Sequence, residues 1–232
     1  MLSNIWLINN SRVNRHLGWV SPPNSPSNIS NFYKLRFNDI SVQFVTANSL
    51  KADAYRIRYR AYAARGYILK KDTQSWEDEF DNVHSTRIAV LFKCGVPTAT
   101  IRLCFFDSSV MNNIYDALPS ATQFNYTTKN ILKKLCLIQN NLKIIEISKL
   151  ASLSEKHDRI PILLSIYRFI KEKIFNLGAD IVIISVRTQH VNFYTRFGFK
   201  ILEEGKLYKK DNVVLSLLVS GAGNFRSLAE RL

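Results

Sequence analysis

Two charged residues, Glu146 and Lys149, stand inside the run Leu142-Lys-Ile-Ile-Glu-Ile-Ser-Lys-Leu-Ala-Ser-Leu153, whose apolar positions suit a buried strand. A dry core does not hold an isolated charge, so both must be paired with something or used for something. A carboxylate there can take a proton from a nucleophile, and a cation there can hold or balance an anion. Three further places carry residue types fit for the same work. Arg102 interrupts a second apolar run, Arg58 lies on a tyrosine-rich segment, and Trp76-Glu-Asp-Glu-Phe-Asp81 is the one concentrated acidic stretch of a basic chain. Taken singly, an Arg–Asp or Glu–Lys pair more often stabilises a fold than performs a reaction, since structural ion pairs also perturb pKa values.

The elements that must position these residues can be placed in order. Residues 1–38 are expected to form a flexible arm, because they are rich in Asn and Ser21-Pro-Pro-Asn-Ser-Pro26 cannot donate the backbone bonds of a helix or strand. Alternation predicts a first strand over Ile40–Val45. Leu50–Arg65 reads as a helix with Ser49 as N-cap and Gly66 just past its end. On it Tyr55, Tyr59 and Tyr62 share a face, and Arg58 neighbours Tyr62. Tyr67 to Asp81 reads as a polar, acidic loop. Thr86–Lys93 and Val96–Phe106 read as strands joined by a Cys94-Gly95 hairpin turn. Residues 107–140 are less legible, apart from a basic amphipathic helix over Ile131–Ile138.

After the central run, Ser154 or Asp158 is expected to cap a helix that has Pro161 in its first turn. Ile162, Leu163, Ile166, Phe169, Ile170 and Ile174 keep the helical period, and Gly178 stops it. Asp180–Val186 is apolar enough for a strand covered on both faces. A short helix over Gln189–Phe197 and strands over Phe199–Leu202 and Val213–Val219 complete the chain. The expected fold is α/β, a mixed and mostly antiparallel sheet with helices on both faces, over residues 39–220, followed by a tail, 221–232.

With 232 residues the chain can bury a sizeable core in one domain. Hydrophobic residues at 47% and aromatics at 12% suit a globular enzyme or binding domain and argue against a chain that is a disordered interaction tail. A formal charge of +14 predicts an acidic partner: nucleic acid, an anionic membrane face met peripherally, or an acidic protein. Cys94, Cys104 and Cys136 are odd in number and lie in or beside apolar runs, which favours buried free thiols and a cytoplasmic setting. No metal is expected, because His16, His84, His157 and His190 show no ligand spacing. Ile5-Trp-Leu-Ile8 is too short for a signal-peptide core, and no stretch approaches the ~20 apolar residues of a transmembrane helix.

Val191-Asn-Phe-Tyr-Thr-Arg-Phe-Gly-Phe199, coming after an apolar strand and a short polar turn, resembles the last conserved segment of the GNAT acyltransferase fold. Upstream, Arg58-Tyr-Arg-Ala-Tyr62, Asp78-Glu-Phe-Asp81, Arg102-Leu103 and Glu146-Ile-Ser-Lys149 follow in an order and spacing that resemble the acyl-homoserine lactone synthases and, more closely, the related N-acyl amino acid synthases. The resemblance covers about residues 40–220. It departs from the lactone synthases at Lys149, where they have arginine, and at Tyr62, where they usually have phenylalanine. Lysine lacks the planar fork that arginine offers a carboxylate.

Acetyl-CoA-dependent members of the fold carry a glycine-rich turn whose amides cradle pyrophosphate. Here that interval, Ser154-Glu-Lys-His-Asp-Arg-Ile-Pro161, has no glycine. The donor the resemblance implies is an acyl thioester on the phosphopantetheine arm of acyl carrier protein, a strongly acidic partner that the positive charge would steer. No bound cofactor is implied. The reaction implied is attack by the α-amine of an amino acid on a long-chain acyl thioester, with Glu146 as base. Backbone amides near Leu150, Ala151 and Ser152, where the central strand is expected to splay from its neighbour, would stabilise the oxyanion. Arg102 and Lys149 hold the amino acid carboxylate or compensate Glu146, Asp78 and Asp81 pair with Arg58, and Tyr62 lies beside them. Tyr194 stands where many GNAT enzymes protonate the leaving thiolate; its other reading is a core aromatic beside Phe193, Phe197 and Phe199.

Three other functions fit parts of the sequence. One is acetyl-CoA-dependent N-acetylation, and a second is lactone synthesis, which needs S-adenosylmethionine. The third is a non-enzymatic nucleic-acid-binding module, for which the aromatics would have to lie exposed among the basic residues rather than at core periods.

Overall fold

Runs of β-branched and aromatic residues form seven strands that pair into one sheet. They are β1 (Ile40–Phe44), β2 (Thr86–Lys93), β3 (Val96–Asp107), β4 (Lys143–Ser152), β5 (Ile181–Arg187), β6 (Lys200–Tyr208) and β7 (Val213–Gly221). Their spatial order is β1-β2-β3-β4-β5-β7-β6. Among the described strands β4 and β5 are parallel and every other neighbouring pair is antiparallel. The computed structural model describes residues 40–69, 72–111, 113–138, 141–154, 158–208 and 213–224. The expected arm, 1–38, and most of the expected tail lie outside them.

Helices cover both faces, because the strands are apolar on both sides. On one face α4 (Arg159–Asn176) and α5 (Val191–Thr195) bury Ile162, Ile166, Phe169, Ile170 and Val191 against Val42, Leu91, Ile101, Leu103, Ile145 and Ile184. On the other, α1 (Asn48–Ala63) packs Ala54, Ile57 and Ala61 on Ile88, Val90 and Ala151. Beside it Ala121 of α2 (Pro119–Gln123) and Phe124, which links α2 to α3 (Asn125–Ile138), cover Cys104, Ile144, Ile183 and Leu217. Each large apolar side chain buried this way contributes about 1.5–3 kcal/mol.

Several boundaries differ from the sequence expectation for local reasons. The carbonyl of Ala47 already accepts the Lys51 N–H, so α1 starts before Ser49 and Ser49 is not its cap. Asp158 sits at the N-cap of α4 but makes no capping bond; its carboxylate pairs instead with Lys93. The less legible interval holds a 3-10 turn, Ile114–Asp116, and then α2 and α3; the helix expected over 131–138 is the end of α3. The helix expected over 189–197 divides into a 3-10 turn, Thr188–His190, and α5. β6 runs on to Tyr208 through two register shifts and Gly205 at φ +69°, which an edge strand paired only to β7 tolerates.

Two irregularities in β4 matter for function. Its pairing with β5 spans only Ile144–Ile147 against Ile181–Ile184, after which β4 continues alongside β3 to Ser152 and β5 alongside β7 to Arg187. Against β3, Arg102 pairs with Ser148 and Thr100 with Ala151, so Lys149 and Leu150 together face Ile101. That is a β-bulge, and Lys149 occupies the left-handed region at φ +55°. The strands thus separate where the second strand is also bent.

At the end of α4, Gly178 is at φ +62°, and the N–H of Ala179 bonds back to the Ile174 carbonyl. An added Cβ at Gly178 meets no atom within 4 Å, so only backbone strain opposes it. Gly178→Ala is expected to lower stability by about 1–2 kcal/mol in urea denaturation, and Gly178→Asn by less, because Asn tolerates the left-handed region.

Candidate active site

The buried charges form one connected group on the α1 face. The turn Glu79–Asn82 is held by reciprocal caps: Asp78 accepts from the Phe80 N–H at 3.1 Å, and Asp81 accepts from the Asp78 N–H at 2.9 Å. Both carboxylates are thereby aimed inward. Arg58, reaching from α1, donates through one nitrogen to both oxygens of Asp81 at 2.8 Å. Arg102 on β3 donates to Asp78, to Asp81 at 3.1 Å and, through Nε, to Ser148 Oγ at 3.0 Å. Lys149 reaches Asp78 at 3.1 Å and lies 3.7 Å over the Trp76 ring. Burial alone would raise the Asp78 pKa, but Lys149 and Arg102 outweigh it and hold the carboxyl down at about 2. Burial pushes Lys149 down to about 8, against the pull of Asp78.

Glu146 stands outside this group. It is fully buried, and its Oε2 accepts from the Ser120 N–H at 2.9 Å and the Ser120 hydroxyl at 2.7 Å. Its Oε1 has no hydrogen-bond partner among the described residues. Burial raises its pKa, and the two Ser120 bonds offset only part of that. The result is a carboxylate with one oxygen fixed, one oxygen open and a raised proton affinity.

Glu146 belongs to the lining of a cavity of about 800 Å³ whose walls come from both faces of the sheet where β4 and β5 part. On the α4 side its walls are apolar, with Ile162, Ile166, Tyr167, Ile170, Phe197 and Phe199. On the α1 side Asp78, Arg102, Gln123, Glu146 and Ser185 bring polar groups into a wall that also holds Trp76 and Phe80. Of the residues singled out from the sequence, Tyr62, Asp78, Arg102, Glu146, Lys149, Leu150, Ala151, Ser152 and Tyr194 all line it, while Arg58 and Asp81 sit behind it as the buried support.

Two sequence expectations take a different form. Arg102 and Lys149 are engaged by Asp78 and Asp81 rather than by Glu146, because the capped turn delivers two carboxylates to them. Asp81 bridges Arg58 and Arg102, whereas Asp78 bridges Arg102 and Lys149 and does not meet Arg58. Tyr194 packs as the core reading expects, edge-on against Phe193 and Phe199, and is also on the cavity wall. Burial raises its pKa so that the phenol keeps its proton. Among the described residues no group of three or more His, Cys, Asp or Glu could hold a metal ion. His84 and His190 are on or near the surface, and His157 lies outside the described residues.

The family model described as N-acyl amino acid synthase FeeM matches residues 53–219, a span that holds every element of this site. The chain belongs to the N-acyl amino acid synthase family. It is therefore an acyltransferase. FeeM itself, an N-acyl amino acid synthase from uncultured soil microbes, shares the fold with a TM-score of 0.66 at 19% identity, over 83% of this chain and 97% of that one. The acyl-homoserine lactone synthase LasI aligns with a TM-score of 0.54 at 13% identity, over 80% of this chain and 91% of its own. The CoA-dependent lactone synthase BjaI aligns with a TM-score of 0.55 at 11% identity, over 82% and 88%. The fold is the GNAT-like acyltransferase fold. A comparison with curated proteins finds no match.

Sequence reasoning missed Ser120, although it orients the carboxylate of this synthase. The only signal was the Pro119-Ser120 pair, a helix start inside an otherwise unreadable stretch. Gln123 and Ser185 were missed for the same reason that single polar residues always are: only the tertiary structure shows what they face.

The ion group makes two outcomes measurable. Arg58→Ala takes the nearer of two guanidinium partners from buried Asp81, leaving Arg102, and is expected to cost up to about 3–5 kcal/mol in chemical denaturation. Asp78 has a folded-state pKa of about 2, below the ordinary 3.8, so its stabilisation is complete above pH 4 and lost as pH falls toward 2. Denaturation between pH 4 and 2 should show that loss, and Asp78→Asn should flatten it.

Proposed function

We propose that this acyltransferase moves a long-chain acyl group from the phosphopantetheine thioester of acyl carrier protein to the α-amine of an amino acid. The observation that supports this best is the cavity at the β4–β5 break, which joins an apolar lobe to Glu146, a buried carboxylate with one oxygen lacking a hydrogen-bond partner among the described residues. Its volume of about 800 Å³ lies in the upper part of the range of small-molecule sites, far more than an acetyl group fills. The apolar lobe suits an acyl chain, and the splayed strands give its thioester a route to Glu146.

In this reading Glu146 Oε1 takes a proton from the α-ammonium, directly or through a water. An α-amine has a reference pKa of roughly 8, so a carboxylate with raised proton affinity is an adequate base near neutral pH. The neutral nitrogen attacks the thioester carbonyl, and a C–N bond forms as the carbonyl oxygen takes the charge. Beyond Ile147, β4 has no β5 partner; the Ala151 amide is turned to β3, and the amides of Leu150 and Ser152 on either side of it are turned to the vacated edge, where they can meet that oxyanion. Collapse of the tetrahedral intermediate breaks the C–S bond: Tyr194 gives its phenolic proton to the leaving thiolate, the second proton of the attacking nitrogen returns to the phenolate through water, and Glu146 releases the first to solvent. Arg102, Lys149, Asp78, Asp81 and Arg58 hold the floor and the Trp76 wall in place. The net charge of +14 supports acyl carrier protein as donor, through steering of an acidic partner.

The test is to supply dodecanoyl acyl carrier protein, dodecanoyl-CoA and acetyl-CoA separately with a mixture of amino acids and to identify products by mass spectrometry. N-acyl amino acids are expected from the dodecanoyl carrier protein. Glu146→Gln should lower kcat roughly 10²–10⁴-fold with an unchanged melting temperature. Because the Glu146 pKa is raised, the wild-type rate should rise with pH through a value above that of an ordinary glutamate, and the variant should lack that limb. Product from acetyl-CoA alone, or full activity in Glu146→Gln, overturns the reading.

A further inference from the structure

The cavity wall carries more unused polar atoms than Glu146 Oε1. Gln123 Nε2, Ser185 Oγ and one terminal nitrogen of Arg102 are also buried without a hydrogen-bond partner among the described residues, and all three residues line the same cavity. Burying such a group unpaired costs about 1–3 kcal/mol, so a set converging on one space marks a place for a polar ligand.

Side-chain alternation along β5 shows where that ligand lies. Val182, Ile184 and Val186 pack with α4, so Ile183, Ser185 and Arg187 face the α1 side, as Glu146 does. Ile183 is the register partner of Glu146. Ser185 and Arg187 follow at about 7 and about 13 Å along the strand. The Arg187 guanidinium is stacked 3.5 Å over the Tyr67 ring, and Arg65 and His190 stand beside it on the cavity wall. Burial and the charges of Arg187 and Arg65 depress the His190 pKa. Among the described residues neither Arg65 nor Arg187 is paired with a carboxylate. Arg102 and Lys149, by contrast, are already balanced by Asp78 and Asp81.

Resting on the acyl-transfer reading above, we infer that Arg187, assisted by Ser185, binds the carboxylate of the acceptor amino acid while its amine meets Glu146. A guanidinium held flat on an aromatic ring presents its fork to a carboxylate bidentately. The pocket then requires an amine at one end and an acid at the other, which admits amino acids and rejects simple amines. The phosphate of the donor's pantetheine arm is the other anion the cluster could take. It would register in the donor's KM rather than the acceptor's.

The test uses the full-length enzyme with dodecanoyl acyl carrier protein. The twenty L-amino acids are ranked as acceptors, and the best is compared with its carboxamide and its decarboxylated amine in wild type, Arg187→Gln, Arg187→Lys and Ser185→Ala. The acceptor KM should rise roughly tenfold to a hundredfold in Arg187→Gln, the size of a lost charge-assisted pair, with kcat falling much less. The wild-type preference for the acid over its carboxamide should collapse with it, and Arg187→Lys should restore part of both. Retention of that preference in Arg187→Gln overturns the inference, as does a rise confined to the donor's KM. A wild type that acylates carboxamides as well as acids overturns it while leaving acyl transfer intact. A wild type that forms no N-acyl amino acid overturns the functional reading and this inference together.

Discussion

The pairing of β4 with β5 stops after Ile147 and Ile184, and the rest of the site depends on that break. Two strands that stayed in register would satisfy each other's amides and close the sheet. Here β4 leaves with β3 and β5 leaves with β7, so one cavity reaches both faces. The bulge at Lys149 and Leu150 adds to the separation. It turns Ser148 toward Arg102 and Lys149 toward Trp76 on one face and leaves Leu150 with the α4 core on the other. A lysine at φ +55° costs about 1–3 kcal/mol. Its ammonium is held by Asp78 and the Trp76 ring, which keeps the strained backbone where it is.

The group of Arg58, Arg102, Lys149, Asp78 and Asp81 is not best understood as a source of stability. Removing such charges from water costs about as much as their attraction returns, and apolar residues of similar volume often serve equally well. What the group does is tie α1, the capped turn at Asp78–Asn82, β3 and the bulge of β4 into one geometry. Breaking any member strands a charge, so the arrangement is all or none. That rigidity fixes the polar wall of the cavity.

Keeping Glu146 outside that group has a chemical consequence. A carboxylate paired directly with an arginine or lysine has a depressed pKa and is a poor base. Ser120 holds Glu146 with neutral donors instead, so burial remains the larger influence and its proton affinity stays high. Two acid environments thus lie close together, one with Asp78 driven down and one with Glu146 driven up. Separation of that kind is how one site holds a fixed charge and a working base at the same pH.

Much of this was legible in the sequence. Strands as periodic as Thr86–Lys93 and Asp180–Val186, the helix with Pro161 in its first turn, and the anomaly of Glu146 and Lys149 in an apolar run all follow from side-chain period and the cost of buried charge, which are local properties. Even the order of Arg58, Asp78, Asp81, Arg102 and Glu146 could be read. Their pairing could not, because Asp78 meets Arg102 and Lys149 rather than Arg58 only once a capped turn has set its direction. Ser120, Gln123 and Ser185 carried no signal, being single polar residues whose meaning lies in what faces them. The sequence by itself determined that Arg102, Glu146 and Lys149 lie in apolar strand runs, where a charge must be paired or used. Only the tertiary structure decided which of them neutralise one another and which face open space, because that depends on the register of β3, β4 and β5 and on where their pairing ends.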